Sequence, residues 1–198
     1  MGGVKPLMRV AAMPLIVASL AVAGCGEERV SGDEVLTRAE TLENPRPGLY
    51  ETTTELVSYE LPGANPQEAD RQRTQAQNIG KQTGQQCVTE EQSEAGFEKL
   101  LEDIVTGINS MDCGFSDFEA SAPRINATLQ CDGPLDAKAG VTFAGTTDSE
   151  GYDLTMDLGA SSRLIAGGSM EMRMKFTSRR IGECEAGVAG GTDTGPAE

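Results

Sequence analysis

The 198-residue chain has no histidine and no tryptophan, only three tyrosines and five phenylalanines, and 16 basic residues against 31 acidic ones. Each shortage excludes something. Without histidine there is no Ser-His-Asp or Cys-His catalytic arrangement and no His-ligated zinc. A formal net charge of −15 repels phosphate backbones and anionic headgroups, so nucleic acid is not an expected partner. Neither a Walker-type loop nor a dinucleotide glycine loop occurs, and no CxxC or paired Cys/His spacing is present. The apolar run from Val10 to Ala23 is shorter than the about 20 residues a membrane-spanning helix needs, and Pro14 interrupts it.

What is present at the amino terminus is an address. Lys5 and Arg9 precede the Val10–Ala23 run, which has the shape of a signal peptide. It ends in "LAVAGC", which resembles a bacterial lipobox. That resemblance implies lipid attachment to the Cys25 thiol and cleavage after Gly24, making residues 1–24 a lipoprotein signal peptide. Each buried CH2 contributes about 0.8 kcal/mol, and two or more acyl chains make attachment stable. Gly26 stands where aspartate would resemble an inner-membrane retention signal, so the expected location is the outer membrane, facing the periplasm. Loss of Lys5 and Arg9 with the leader moves the net charge from −15 to −17.

Residues 25–46 are charged and poor in large apolar side chains, and read as a tether. A short helix around Asp33 to Leu42 fits the spacing of Val35, Leu36, Ala39 and Leu42. Residues 185–198 contain glycines and no apolar period, as expected of a disordered tail. Between them, residues 47–184 have the size of one domain.

This domain opens with "PGLYETTTELVSYELPG", a long strand bounded by Pro-Gly pairs. "ANPQEADRQRTQAQNIGKQTGQQ" is polar throughout and, if helical, lies exposed. Thr89 then caps an amphipathic helix expected over Glu90 to Val105, with Phe97, Leu100, Leu101, Ile104 and Val105 on one stripe. From there the period switches to two through "MDCGFSDFEA", "INATLQCD", "VTFAGTT", "YDLTMDLG" and "SMEMRMKFTS", an antiparallel meander. The expected fold is α+β: mainly a curved antiparallel sheet with one packed amphipathic helix and two disulfides.

Met170, Met172, Met174 and Phe176 alternate with Glu171, Arg173 and Lys175. Thioethers select Cu(I), and Met-based copper binding is one reading of that row. The alternation with charge, completed by Phe176, is also the pattern of an amphipathic strand turning its apolar side to a core, and that reading accounts for every residue in it. Met156 shares one face of the preceding strand with Tyr152, Leu154 and Leu158, and Met156, Met170, Met172, Met174 and Phe176 are the candidate lining of a cavity for a small hydrophobic ligand, left by the curved sheet.

The acids offer weaker candidates. Glu55, Glu60, Asp153 and Asp157 lie where paired carboxylates could form, but acids mostly stay solvated. Asp148, Glu150 and Asp153 around Gly151 lack calcium-loop spacing and fit a hairpin turn. Arg173, Lys175, Arg179 and Arg180 are expected to meet acids on neighbouring strands. No catalytic residue, metal or cofactor is expected, and the protein is not expected to be an enzyme.

Apart from Cys25, four cysteines remain, an even number suited to an oxidising compartment. They permit three connectivities, and sequence alone does not choose. The segments around Cys113 and Cys131 read as neighbouring strands joined through "EASAPR", which places those two nearly opposite; Cys87 and Cys184 then pair by elimination.

Taken together, "PGLYETTTEL", "QQCVTEE", "MDCGFSDFEAS", "LQCDGP" and "RMKFTSRRIGEC" resemble the exported bacterial proteins grouped as domain of unknown function 3617, over roughly Pro47 to Cys184. Members often have tryptophan near the Pro-Gly pair, where this chain has Tyr50. The resemblance implies an envelope location and a compact cysteine-bridged domain, and brings no catalytic residues. The expected function is a lipid-anchored envelope protein with a binding or structural role, its partners the membrane through Cys25 and either an envelope protein or a small hydrophobic ligand.

Overall fold

The computed structural model describes residues 29–79, 81–97 and 111–184. The signal segment, Cys25, residues 98–110 and the tail from 185 lie outside the described residues. Seven antiparallel strands form one sheet: β1 (Gly48–Glu60), β2 (Lys81–Val88), β3 (Asp112–Ser121), β4 (Arg124–Asp132), β5 (Lys138–Asp148), β6 (Gly151–Ser161) and β7 (Ser169–Gly182). Their order is β2-β1-β7-β6-β5-β4-β3, so the sheet is open, with β2 and β3 at its edges. The antiparallel meander is as the alternating pattern requires. β2 was not legible as a strand, because "KQTGQQ" has no apolar alternation; it forms by backbone pairing to β1, Gly48↔Val88 through Glu55↔Lys81.

Cross-strand partners share a face, and the register sets one apolar side. Leu129 lies beside Val141, Val141 beside Leu158, and Leu158 beside Met172; one step along are Ala127, Phe143, Met156 and Met174. Two bulges extend that side. Skipping Ser116 in the β3–β4 pairing turns both Phe115 and Phe118 inward, where their rings meet edge to face at 5.5 Å. Skipping Val57 between β1 and β7 brings Tyr59 to the same side as Leu56, while Val57 itself stays exposed.

The apolar side is covered unevenly. Phe118 and Leu129 are 0% exposed, and the buried cluster around them joins β3, β4 and β5 to Val35 and Ala39 of α1 (Gly32–Ala39). Ser31 caps α1 through the Glu34 N–H, acids occupy its first turn and Arg38 its last. The segment read as a tether is therefore packed from Val30 onward: Val35, Ala39 and Leu42 are buried, because the helix spacing puts them on one stripe facing β3.

α2 (Pro66–Ile79) is polar and lies against β1, where the Tyr59 hydroxyl donates to Gln72 at 3.3 Å. α3 (Glu90–Ala95) starts at the expected Thr89 with a reciprocal Thr89–Gln92 capping box. It ends after six residues. Gly96 has φ +55, a left-handed conformation that terminates a helix, and a Cβ there would lie 2.4 Å from the Asn44 amide oxygen. The single helix expected over Glu90–Val105 is thus broken at Gly96; its apolar positions from Leu100 onward lie outside the described residues. No helix among the described residues is long and apolar enough to cross a membrane.

Candidate functional site

The described residues enclose an open cleft of about 560 Å³ at one end of the apolar side, where α3 faces the sheet. Its floor is a single rung across the strands. Thr147 of β5 pairs with Tyr152 of β6, Tyr152 with Ser178 of β7, and Ser178 with Thr52 of β1. Along β7 the inward positions run Met170, Met172, Met174, Phe176 and then Ser178, so the face changes from apolar to hydroxyl-bearing as it enters the cleft. Tyr50 and Gln86, paired on β1 and β2, make the next rung. α3 and its end supply Glu91, Gln92, Ala95 and Phe97, and the β5–β6 turn supplies Asp148 and Gly151.

The hydroxyls of Tyr50, Thr52, Thr147 and Ser178 are held by the protein itself. The Tyr50 hydroxyl sits between the Arg46 carbonyl at 2.8 Å and the Ser149 carbonyl at 3.1 Å. Thr52 and Ser178 share a hydrogen bond of 3.0 Å, and buried Thr147 donates to the Gly151 carbonyl at 3.4 Å. Burial pushes the Tyr50 phenol above its ordinary range, with the Glu150 carboxylate adding to the shift, so the phenol stays protonated and is a poor base. The walls are tied together through Pro45 and Arg46. The Ser93 hydroxyl of α3 donates to the Pro45 carbonyl at 2.6 Å, and Arg46 pairs with Glu150 at 2.6 Å.

Charge in the cleft is one-sided. Glu91 and Asp148 line it, and no lysine or arginine is among its described lining residues. The surrounding surface treats the remaining candidates as structural. Asp157 pairs with Arg173 at 2.6 Å, and Asp153 receives both Arg179 and the Thr177 hydroxyl, so two of the four basic residues expected to do so meet acids across strands, while Arg180 pairs instead with Glu183 just past its own strand. Asp148 accepts the Glu150 N–H at 2.8 Å in the hairpin turn. Among the described residues no group of three His, Cys, Asp or Glu side chains converges to hold a metal ion.

The four cysteines form Cys113–Cys131 and Cys87–Cys184. The first joins directly paired positions of β3 and β4. The second reaches from the chain just past β7, over the end of β1, to β2. Cys25 lies outside the described residues. Met156, Met170, Met172, Met174 and Phe176 do share the apolar side, Met156 opposite Met174, and all five are half-buried, but none lines the cleft. The lining that sequence reasoning missed is Tyr50, Thr52, Thr147, Tyr152 and Ser178. Its one signal in the sequence is a hydroxyl at a position where the strand period calls for an apolar side chain.

No curated protein and no solved structure matches the chain. A family model described as "Protein of unknown function (DUF3617)" matches residues 45–184, and the chain belongs to that family.

Proposed function

We propose that the protein is a non-catalytic binding module of the bacterial envelope, held to the membrane through acylated Cys25 and facing the periplasm, whose cleft takes a small apolar ligand that carries no negative charge. The observation that supports this reading is the cleft itself. Its volume of about 560 Å³ lies in the range of small-molecule sites, its walls include Tyr50, Phe97 and Tyr152, and its charged lining is two carboxylates. Internal hydrogen bonding of the Tyr50, Thr52, Thr147 and Ser178 hydroxyls leaves the aromatic rings, the aliphatic side chains and the rim carboxylates and amides as what a ligand meets. The hydrophobic-carrier reading thereby moves from the methionine row to the α3 end of the sheet.

The test is a fluorescence titration of the full mature chain with two apolar dyes, neutral N-phenyl-1-naphthylamine and anionic anilinonaphthalene sulfonate. The neutral dye is expected to bind with a Kd on the order of micromolar, and the anionic one about tenfold or more weakly. Ala95→Trp, on the exposed surface of α3 facing the cleft, is expected to abolish binding of the neutral dye while leaving the far-UV spectrum unchanged. Failure of both dyes to bind, or binding untouched by Ala95→Trp, overturns the reading.

A further inference from the structure

The two edges of the open sheet are finished differently. On β3 the outward carbonyls are occupied by the chain's own N-terminal segment: the Val30 N–H reaches Phe115 at 2.7 Å, the Arg38 guanidinium reaches Phe118, and the Thr41 hydroxyl reaches Ala120 at 3.1 Å. Three carbonyls along that edge are thereby taken by the chain itself. β2 pairs on one side only, with β1, in a register that runs unbroken for the length of the strand. Lys81 to Gln85 are exposed, and no described residue bonds to the outer side of their backbone.

Bare edges are ordinarily protected by charge, proline, a bulge or a covering segment. Among the described residues β2 has none of these over its central positions. Gln82, Thr83, Gly84, Gln85 and Gln86 are uncharged in a chain with 31 acids, and the one charged side chain of the strand, Lys81, is at its start. A straight, uncharged, glutamine-rich edge is built to receive another strand. The acidic surface of the molecule makes its own β2 the stretch on which two copies meet with least repulsion.

We propose that β2 pairs antiparallel with β2 of a second copy about a two-fold axis near Gly84, joining two seven-strand sheets edge to edge. The symmetry argues for this occupant. Antiparallel pairing about the middle of the strand carries the two Lys81 ammonium groups to opposite ends, each toward the Glu90 and Glu91 end of the other copy, so no like charges face each other. Gly84 at the centre places no side chain where the two copies approach.

Gly84 also supplies the test, since a Cβ built there meets nothing within 4 Å and the monomer therefore accommodates a substitution. The full mature chain carrying Cys25→Ser, which keeps lipid out of the measurement, is examined by sedimentation velocity from about 1 to about 100 μM, at about 0.15 M salt so that distant charges are screened. The expected result is a concentration-dependent dimer for this chain and for its Gly84→Ala variant. Gly84→Asp, which sets two carboxylates opposite each other, is expected to weaken association about tenfold or more, with the thermal midpoint of the monomer unchanged. A monomer throughout the range overturns the proposal and leaves the edge to an extended segment of another protein. A dimer that Gly84→Asp leaves as tight also overturns it, placing the interface elsewhere.

Discussion

Burial alone would push the Asp153 carboxyl upward, yet hydrogen bonds from Arg179 and Thr177 outweigh it and hold the group below the ordinary aspartate range. A lowered folded-state value means that the unfolded chain binds the proton first as the solution is acidified. The stabilisation is therefore present above the unfolded value of about 3.9 and is lost as pH falls through the lower folded value. Asp132, held low by Lys138, adds to the same limb. Urea unfolding at about pH 2, 4 and 7 is expected to show wild-type stability rising with pH across this window, and a shallower rise in Asp153→Asn. At neutral pH the variant is expected to lose no more than about 1 kcal/mol, because the Asp153–Arg179 pair is largely exposed and screened. Equal slopes for the two proteins would show that the Arg179 and Thr177 bonds do not hold the carboxylate. The same scale explains why Gly151 opens β6. At φ +152, a Cβ there would lie 2.0 Å from the Ser178 carbonyl, inside the rung that floors the cleft.

The two disulfides act on elements of unequal reach. Cys113–Cys131 closes a separation of 18 residues across a hairpin whose register the β3–β4 ladder already determines. Cys87–Cys184 closes 97 residues and straps the edge strand β2 to the end of β7. In the chain-entropy account the shorter loop contributes about 3 kcal/mol and the longer about 4 to 5 kcal/mol. Denaturant midpoints are therefore expected to drop further for Cys87→Ala/Cys184→Ala than for Cys113→Ala/Cys131→Ala. The long-loop variant is also expected to lose amide-exchange protection selectively in β2, which measures the strapping directly. Elements differed in how far they could be read in advance. β6 and β7 alternate cleanly because one of their sides is apolar and the other carries charge, and α1 shows its stripe at Val35 and Ala39. β2 could not be read, since an edge strand held by backbone bonds leaves no apolar period. The inward pair Phe115 and Phe118, three residues apart, fits no strand period until the bulge at Ser116 is seen.

For the molecule as a whole, the first question is where it resides. If Cys25 is acylated, membrane fractions of the host hold the wild-type chain, and Cys25→Ala shifts it to the soluble periplasmic fraction. A wild-type chain recovered soluble would remove the anchor. The cleft and the β2 edge do not depend on that outcome, because both are built entirely from residues 45–178.

Sequence by itself determined the strand periods, the meander, the apolar side of the sheet and the even set of four cysteines, because alternation at period two and cysteine count are local properties. Only the tertiary structure decided that Thr52, Thr147, Tyr152 and Ser178 lie on one rung, and that residues 30–41 bond to the β3 edge while no described residue bonds to the outer side of Lys81 to Gln85 in β2. Those facts depend on register between strands up to 126 residues apart, as for Thr52 and Ser178, and register is set by bulges and packing that no local pattern encodes.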